Sequence, residues 1–438
     1  MSISAVRTRL DDGSTATLMW VVVFLCFLLN LADGVDVVAM SVTAPSVANE
    51  WFLDRSELGP LFSAALIGMA IGGAGLAPLS DKFGRRVLLI FAMCLVGLSM
   101  VAVAFVAETR SLTIFATLRF LSGLGIGVIF GSTPALASEF MPTRLKGMAV
   151  SIVIMGYPIG AIFAGPIANA LMPVFGWPAV FLAGGSLTLA LAVLIWLFLP
   201  ESPEFLATQA GERPNRKAAI NSLMKRLNRQ PIENVDVYVQ APGAIPLALI
   251  LTPARKMKTL ALWLIYFLGF LAMYFMLSWI PTLFVGAGYS QAQGIDALTL
   301  FNLGAIPGIV ILAYLSTRLP LALLLSFSFG MAGIVLAYLG LAKPSELQSL
   351  TALMFIAGIL MHSGFTCLYA LVAEVYPSEV RAAGIGWSAG VGRSGAIASP
   401  IIAAALLSMG WSMYSLFFLF ALPLITASIL LLFFKRND

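Results

Sequence analysis

The chain has 438 residues, of which 60% are apolar and only 10% charged, and its mean hydropathy is +0.98. A soluble domain carries about 25% charged residues, so a soluble enzyme, a nucleic-acid binder and a disordered scaffold are all excluded. What remains is an all-α integral membrane protein. A helix crossing roughly 30 Å of hydrocarbon needs about 20 apolar residues, and that length picks out twelve spans. In chain order they fall at 18–43, 58–80, 87–107, 112–138, 148–172, 178–199, 259–285, 294–316, 319–341, 349–374, 382–409 and 412–434. These runs are too long for barrel strands. The first follows a polar tail, 1–17, and exceeds a cleavable signal core, so it reads as a retained span.

The net charge of +5 has a topological origin. Twenty of the 25 Lys and Arg residues lie in the N-terminal tail, the even-numbered connections and the C-terminus, 435–438. Only Arg55, Arg110 and Lys343 lie on the opposite side. The positive-inside bias therefore predicts a multi-pass protein of the cell membrane, a bacterial inner membrane, with both termini cytoplasmic. Cys26, Cys94 and Cys367 sit in apolar runs without disulfide or metal-ligand spacing, which marks them as small packing residues. No metal, cofactor or enzymatic nucleophile–base pair is expected.

Span 1 carries Asn30, Asp33 and Asp36 on one helical face. Two carboxylates in a membrane helix cost at least about 2.5 kcal/mol each. Either they pair with basic neighbours, or they take up and release protons, since desolvation and a like-charged neighbour favour the protonated form. Arg119 in span 4 and Arg393 in span 11 fall at the same depth as Asp33, counting about 1.5 Å per residue. Their guanidinium groups suit a carboxylate, whether of a substrate or of the aspartates.

After span 2, Asp81, Gly84 and Arg85 form a candidate conformational latch, and Glu139 with Arg144 after span 4 forms another. Gly156, Gly160, Gly165 and Pro166 in span 5 permit close helix approach. The connection 201–258 holds basic residues and Ile220, Leu223, Met224 and Leu227 at helical spacing, fitting either a short amphipathic helix or a solvated linker. In span 7 Tyr266, Phe270, Tyr274 and Trp279, with Phe365 and Tyr369 in span 10, are able to stack on a ring or simply pack. His362 in span 10 is a packing residue or a proton relay.

The two halves repeat at an offset near 236. Pro45, just after span 1, matches Pro281 near the end of span 7, and Glu139, Pro142, Arg144 and Gly147 match Glu374, Pro377, Arg381 and Gly384 with a two-residue insertion. Two pseudo-symmetric six-helix bundles, 18–200 and 259–434, joined by the linker 201–258, form a transporter plan.

Asp81-Lys82-Phe83-Gly84-Arg85-Arg86, together with Arg119-x3-Gly123-x-Gly125-x-Gly127, resembles the major facilitator superfamily. Ala77 departs from that pattern, and Thr317 replaces the acidic residue that would complete the latch in the second half. More narrowly, Asp33-Gly34-Val35-Asp36 and Tyr376 to Trp387, followed by Gly392 to Ala396, resemble the aromatic acid:proton symporters. That family includes carriers of 4-hydroxybenzoate, benzoate, vanillate, muconate and hydroxyphenylpropionate. The Pro-Glu-Ser-Pro of 200–203 also fits it.

The resemblance implies essential roles for Asp33, Asp36, Asp81, Arg119, Glu139, Arg381 and Arg393, and a monomeric transporter importing an aromatic carboxylate with protons by alternating access. On this reading Asp33 and Asp36 couple protons, while Arg119, Arg393, Asn30, Tyr274, Phe365 and Tyr369 hold the substrate. Asp81, Gly84, Arg85, Glu139, Arg144, Glu374 and Arg381 gate the conformational change. The alternatives are a proton-coupled carrier of another organic anion (muconate, an aliphatic dicarboxylate) or of a sugar, and a proton-driven exporter.

Overall fold

Lipid offers a peptide group no partner except the chain itself, and the protein meets that constraint with helices throughout. The computed structural model describes residues 2–209, 214–231, 247–253 and 255–434. Among the described residues, twelve helices are long and apolar enough to span a membrane: Thr17–Trp51, Arg55–Phe83, Arg85–Thr109, Leu112–Phe140, Thr143–Phe175, Pro178–Phe198, Lys256–Gly286, Gln291–Leu315, Leu321–Ala342, Leu347–Val375, Ala383–Ser408 and Met413–Phe434. They are called spans 1 to 12.

Span 1 runs past the end expected from the sequence, so Pro45 lies inside a helix instead of after it, and Pro281 likewise lies inside span 7. An internal proline leaves the carbonyl four residues earlier without its helical donor. For Pro281 that carbonyl belongs to Leu277, and the Ser41 hydroxyl donates to it at 2.6 Å. A side chain from span 1 thus replaces the missing bond, which lets span 7 continue.

Contacts group the chain into two units. Unit 1 takes Met1–Asp36, Ile67–Gly160 and Phe181–Pro242; unit 2 takes Val37–Leu66, Ala161–Val180 and Gly243–Asp438. Unit 1 therefore holds spans 3 and 4 with those parts of spans 1, 2, 5 and 6 that lie toward the chain termini. The other parts of spans 1, 2, 5 and 6 belong to unit 2 with spans 7 to 12.

Glycines bring backbones together where the polar residues sit. In unit 1 a Cβ on Gly72 would lie 2.1 Å from the Leu124 carbonyl, and one on Gly127 would lie 2.3 Å from that of Met69, so spans 2 and 4 touch backbone to backbone. Span 2 adopts a π-helical turn at Gly72–Leu76 in the same stretch. The offset of 236 carries Gly68 and Gly72 onto Gly304 and Gly308, whose added Cβ atoms would meet span 10 at Ile359 within 2.6 Å. The repeat is thus a repeat of helix contacts as well as of letters.

At the terminal face of unit 1 a short helix, Ser2–Asp11, buries Val6 and Leu10 completely. Arg7 donates to the Ser138 carbonyl at 3.0 Å and pairs with Glu204. Asp11 accepts from the Thr143 amide at 2.6 Å and its hydroxyl at 2.9 Å. The backbone bond is the main cause that holds the Asp11 carboxyl below its ordinary value of 3.8. Its contribution to docking is therefore complete above that value and lost as pH falls through the lower folded one. A helix at Pro214–Arg226 places Ile220, Leu223 and Met224 inward, and Arg229 beyond it donates to the Leu10 and Ser14 carbonyls.

Two outcomes follow. Gly160→Leu should lower the melting temperature of the purified protein sharply, because a Cβ there would lie 1.9 Å from the Leu31 carbonyl. Overpacking of this kind costs about 1–3 kcal/mol or more, whereas Gly147→Ala, with nothing within 4 Å, should be neutral or stabilising. Asp11→Asn should undock the N-terminal helix, read as faster tryptic cleavage at Arg7 and Arg9 at neutral pH with the spans intact.

Candidate functional site

In unit 1 the polar face of span 1 meets a matching face of span 4. The two helices run in opposite directions, so the later residue on one pairs with the earlier on the other. Asn30 donates to the Thr133 hydroxyl at 2.8 Å, and Arg119 binds Asp36 Oδ1 through Nη1 at 2.7 Å. Nη2 also reaches the Asp36 carbonyl at 3.4 Å, and Ser122 Oγ lies 3.5 Å from Asp36 Oδ2. Asp33, one turn from Asp36, is 1% exposed; Asp36 is 0% and Arg119 3%. The Phe181 ring lies 5.9 Å from the guanidinium carbon of Arg119 and closes that side.

The sequence left open whether Arg119 faced a substrate or the aspartates; in this arrangement its partner is Asp36. On another side span 1 packs on span 5, where Gly156 and Gly160 abut the Phe27 and Leu31 carbonyls, beside Asn30. Ser122, Thr133 and Phe181 were not anticipated. Thr133 lies fourteen residues from Arg119, close to four helical turns, so the helical period could have found it. Phe181 carries no such signal.

The latch residues assemble at the terminal face of the same unit. Arg85 binds Glu139 at 2.7 Å, Ser80 at 2.9 Å and Asp81 at 3.3 Å. Glu139 was expected beside Arg144, yet Arg144 is exposed and Arg85 takes that place. The second oxygen of Glu139 accepts from Ser202, while Glu201 accepts from the Arg85 and Arg86 amides at 2.9 and 3.1 Å. A carboxylate at the start of span 3 satisfies amides that have no helical partner. Gly84 has φ +102°, and a Cβ there would strike the Glu201 carboxylate. Pro-Glu-Ser-Pro is thus the strap that ties the end of span 6 to the start of span 3.

Unit 2 repeats the sequence but not this chemistry. Glu374 and Arg381 are exposed, and neither makes an ion pair among the described side chains. Arg381 donates instead to the Tyr376 carbonyl at 3.4 Å, and Arg318 stacks on Tyr314 at 4.7 Å.

Unit 2 does gather the aromatic residues. Tyr266, Phe270 and Tyr274 stack along span 7 at about 6.0 Å. Phe365 meets Phe270 at 4.5 Å, and Tyr369 meets the Tyr266 edge at 5.9 Å. The Phe270 ring fills the space that Gly392 leaves, next to Arg393. Arg393 is half-buried. Phe365, Tyr369 and Tyr274 are each partly exposed, so the cluster has an accessible edge with a cation beside it. Trp279 is elsewhere, packed on Phe62 at 5.3 Å. His362 is buried against Phe301 at 5.0 Å. It stands where the repeat puts Gly127, and its ring packs on span 8 as Gly127 packs on span 2.

Twelve helices in a twofold repeat, a buried ion pair between spans and an arginine-flanked aromatic cluster define a membrane transporter, not an enzyme. The chain belongs to the major facilitator superfamily, whose family model matches residues 22–298 and 288–438. It is 33% identical to a gallate transporter of Pseudomonas putida over 98% of this chain and 94% of that one. It is 35% identical to the 4-hydroxybenzoate transporter PcaK of Pseudomonas aeruginosa, covering 94% and 92%. Among solved structures, a partially occluded, inward-open form of the xylose transporter XylE from E. coli superposes with a TM-score of 0.75 at 18% identity, covering 96% and 98%, and shares the fold.

Removing one member of a buried pair strands the other. Arg119→Gln should cost about 3–5 kcal/mol, seen as a lower melting temperature, and adding Asp36→Asn should recover part of that loss because no isolated charge remains.

Proposed function

We propose that this protein imports an aromatic monocarboxylate of the hydroxybenzoate type together with protons across a bacterial inner membrane. It acts as a monomer with both termini cytoplasmic, and its two six-helix bundles, 18–200 and 259–434, alternate access. The observation that carries the reading is the buried Asp36–Arg119 pair, with Asp33 one turn away. Protonating Asp36 removes the negative partner of Arg119 inside a low-dielectric region, so proton binding changes how span 1 is held to span 4. Asp36 is the last residue that span 1 gives to unit 1, and the helix continues into unit 2 from Val37. A charge change there acts on a helix common to both units.

The aromatic edge of unit 2 supports the substrate assignment. Phe365, Tyr369 and Tyr274 offer ring faces, and Arg393 offers a guanidinium to the carboxylate. Relatives of this chain carry gallate and 4-hydroxybenzoate. Coupling has an energetic motive as well. An anion entering a negative interior works against about 2.3 kcal/mol per 100 mV, and one proton carried with each monoanion cancels that charge. The strap formed by Arg85, Glu139, Glu201 and Ser202 serves as the conformational latch.

The test is uptake of labelled 4-hydroxybenzoate into proteoliposomes under an imposed pH gradient. Each unit of gradient, acid outside, should raise accumulation about tenfold for one proton per solute, and Asp36→Asn should lose that dependence while still inserting. Accumulation indifferent to the gradient, or net export of the labelled acid under an inward proton gradient, would overturn the proposal.

A further inference from the structure

On the face opposite the termini, within unit 2, lies a cavity of about 180 Å³ unrelated to the residues above. Arg55 at the start of span 2, Thr282 and Leu283 near the end of span 7, Leu407 at the end of span 11, and Met413 and Tyr414 at the start of span 12 line it. Arg55 is one of only three basic residues that the sequence places on this side. Its guanidinium lies against Gly286, where a Cβ would come within 3.3 Å of Nη2. The adjacent acid Glu57 is engaged with the Asp54 amide at 2.9 Å, and Arg55 has no ion pair among the described residues.

The remaining lining sets the chemistry. Thr282 Oγ1 is enclosed and has no hydrogen-bond partner among the described residues. The other polar groups are committed: Ser412 Oγ accepts from the Ser415 amide, and the Tyr414 hydroxyl donates to the Pro344 carbonyl. Span 12 also begins here, and the first amides of a helix carry partial positive charge. One cation, one open hydroxyl and walls of Leu283, Leu407 and Met413 suit a single carboxylate on an apolar ring. They do not suit a sugar, which needs many hydrogen bonds, and the volume lies below that of sites for drug-sized ligands.

We infer that this cavity is a second binding site for a small aromatic monocarboxylate, held by Arg55 and Thr282 and separate from the Arg393 cluster. The choice of ligand rests on the proposed substrate class. Occupancy ties span 2 to spans 7, 11 and 12, so a bound acid stabilises the arrangement of unit 2 seen here.

The experiment is calorimetric titration of the purified full-length protein with sodium benzoate, with benzyl alcohol and sodium phosphate as controls. Benzoate should still bind Arg393→Gln protein, and adding Arg55→Gln should raise the Kd of that binding at least about tenfold, the weight of a charged hydrogen bond. Arg55→Lys should lie between, keeping the charge without the fork. Neither control should bind at this site. Unchanged benzoate binding in the double variant, or equal binding of benzyl alcohol or phosphate to Arg393→Gln protein, overturns the inference. Loss of all benzoate binding in Arg393→Gln also overturns it while leaving the transport reading intact. Absence of benzoate binding to the unsubstituted protein removes both.

Discussion

Asp36 and Arg119 are almost wholly out of solvent, where an isolated charge costs several kcal/mol and a pair is tolerated only with good geometry. That requirement organises unit 1. Span 4 must present its guanidinium at the level of Asp36, and its glycines let spans 2 and 3 close around it, since Gly127 abuts Met69 and Gly125 abuts Ala92. Span 1 in turn is backed by span 5, whose Gly156 and Gly160 abut the Phe27 and Leu31 carbonyls. The Asn30–Thr133 bond extends the same antiparallel match toward the terminal face. A proton on Asp36 would therefore act on the element to which the rest of the unit is fitted.

The two halves descend from one pattern but distribute their polar contacts differently. In unit 1 these contacts cluster at the terminal face, where Arg85, Glu139, Glu201 and Ser202 join three connections. In unit 2 they are spread over both ends: Tyr376 donates to Thr259 at 2.9 Å and Ser326 bonds Ser428 toward the ends of the spans nearest the termini, and others lie toward the opposite face. There Ser46 donates to Gln291 at 2.7 Å, Ser63 donates to the Ile397 carbonyl at 2.8 Å, and Asn169 donates to Asp296 at 2.9 Å. The difference traces to single residues. Asp81 gives Arg85 a neighbour that Thr317 cannot supply, and Glu139 meets an arginine that Glu374 lacks. Similar helix packing therefore supports a strap in one unit and leaves its counterpart exposed in the other.

Much of this was legible beforehand. All twelve spans appear where the apolar runs placed them, because lipid forces each run to satisfy its own backbone and leaves few other solutions. Buried charge was equally readable, since each of Asp33, Asp36 and Arg119 is too costly to occur in a span without a partner or a task. The end of span 1 was misjudged because Pro45 reads as a break; Pro281 sits inside span 7 in the same way, and there the compensating donor, Ser41 for Leu277 O, comes from a residue far away in sequence.

The sequence by itself determined the class of protein, the number of spans, the repeat and the set of polar residues at mid-depth. Each of these follows from a local cost, either of an unpaired peptide group or of a desolvated charge, and local costs are written in composition and period. Which partner each group takes was decided only by tertiary packing. Arg119 met Asp36, Glu139 met Arg85 and not Arg144, and Tyr266, Phe270 and Tyr369 became one cluster. Those pairings depend on how closely two helices approach and at what rotation. Glycine contacts between segments far apart in the chain fix that geometry, and no short stretch of chain contains it.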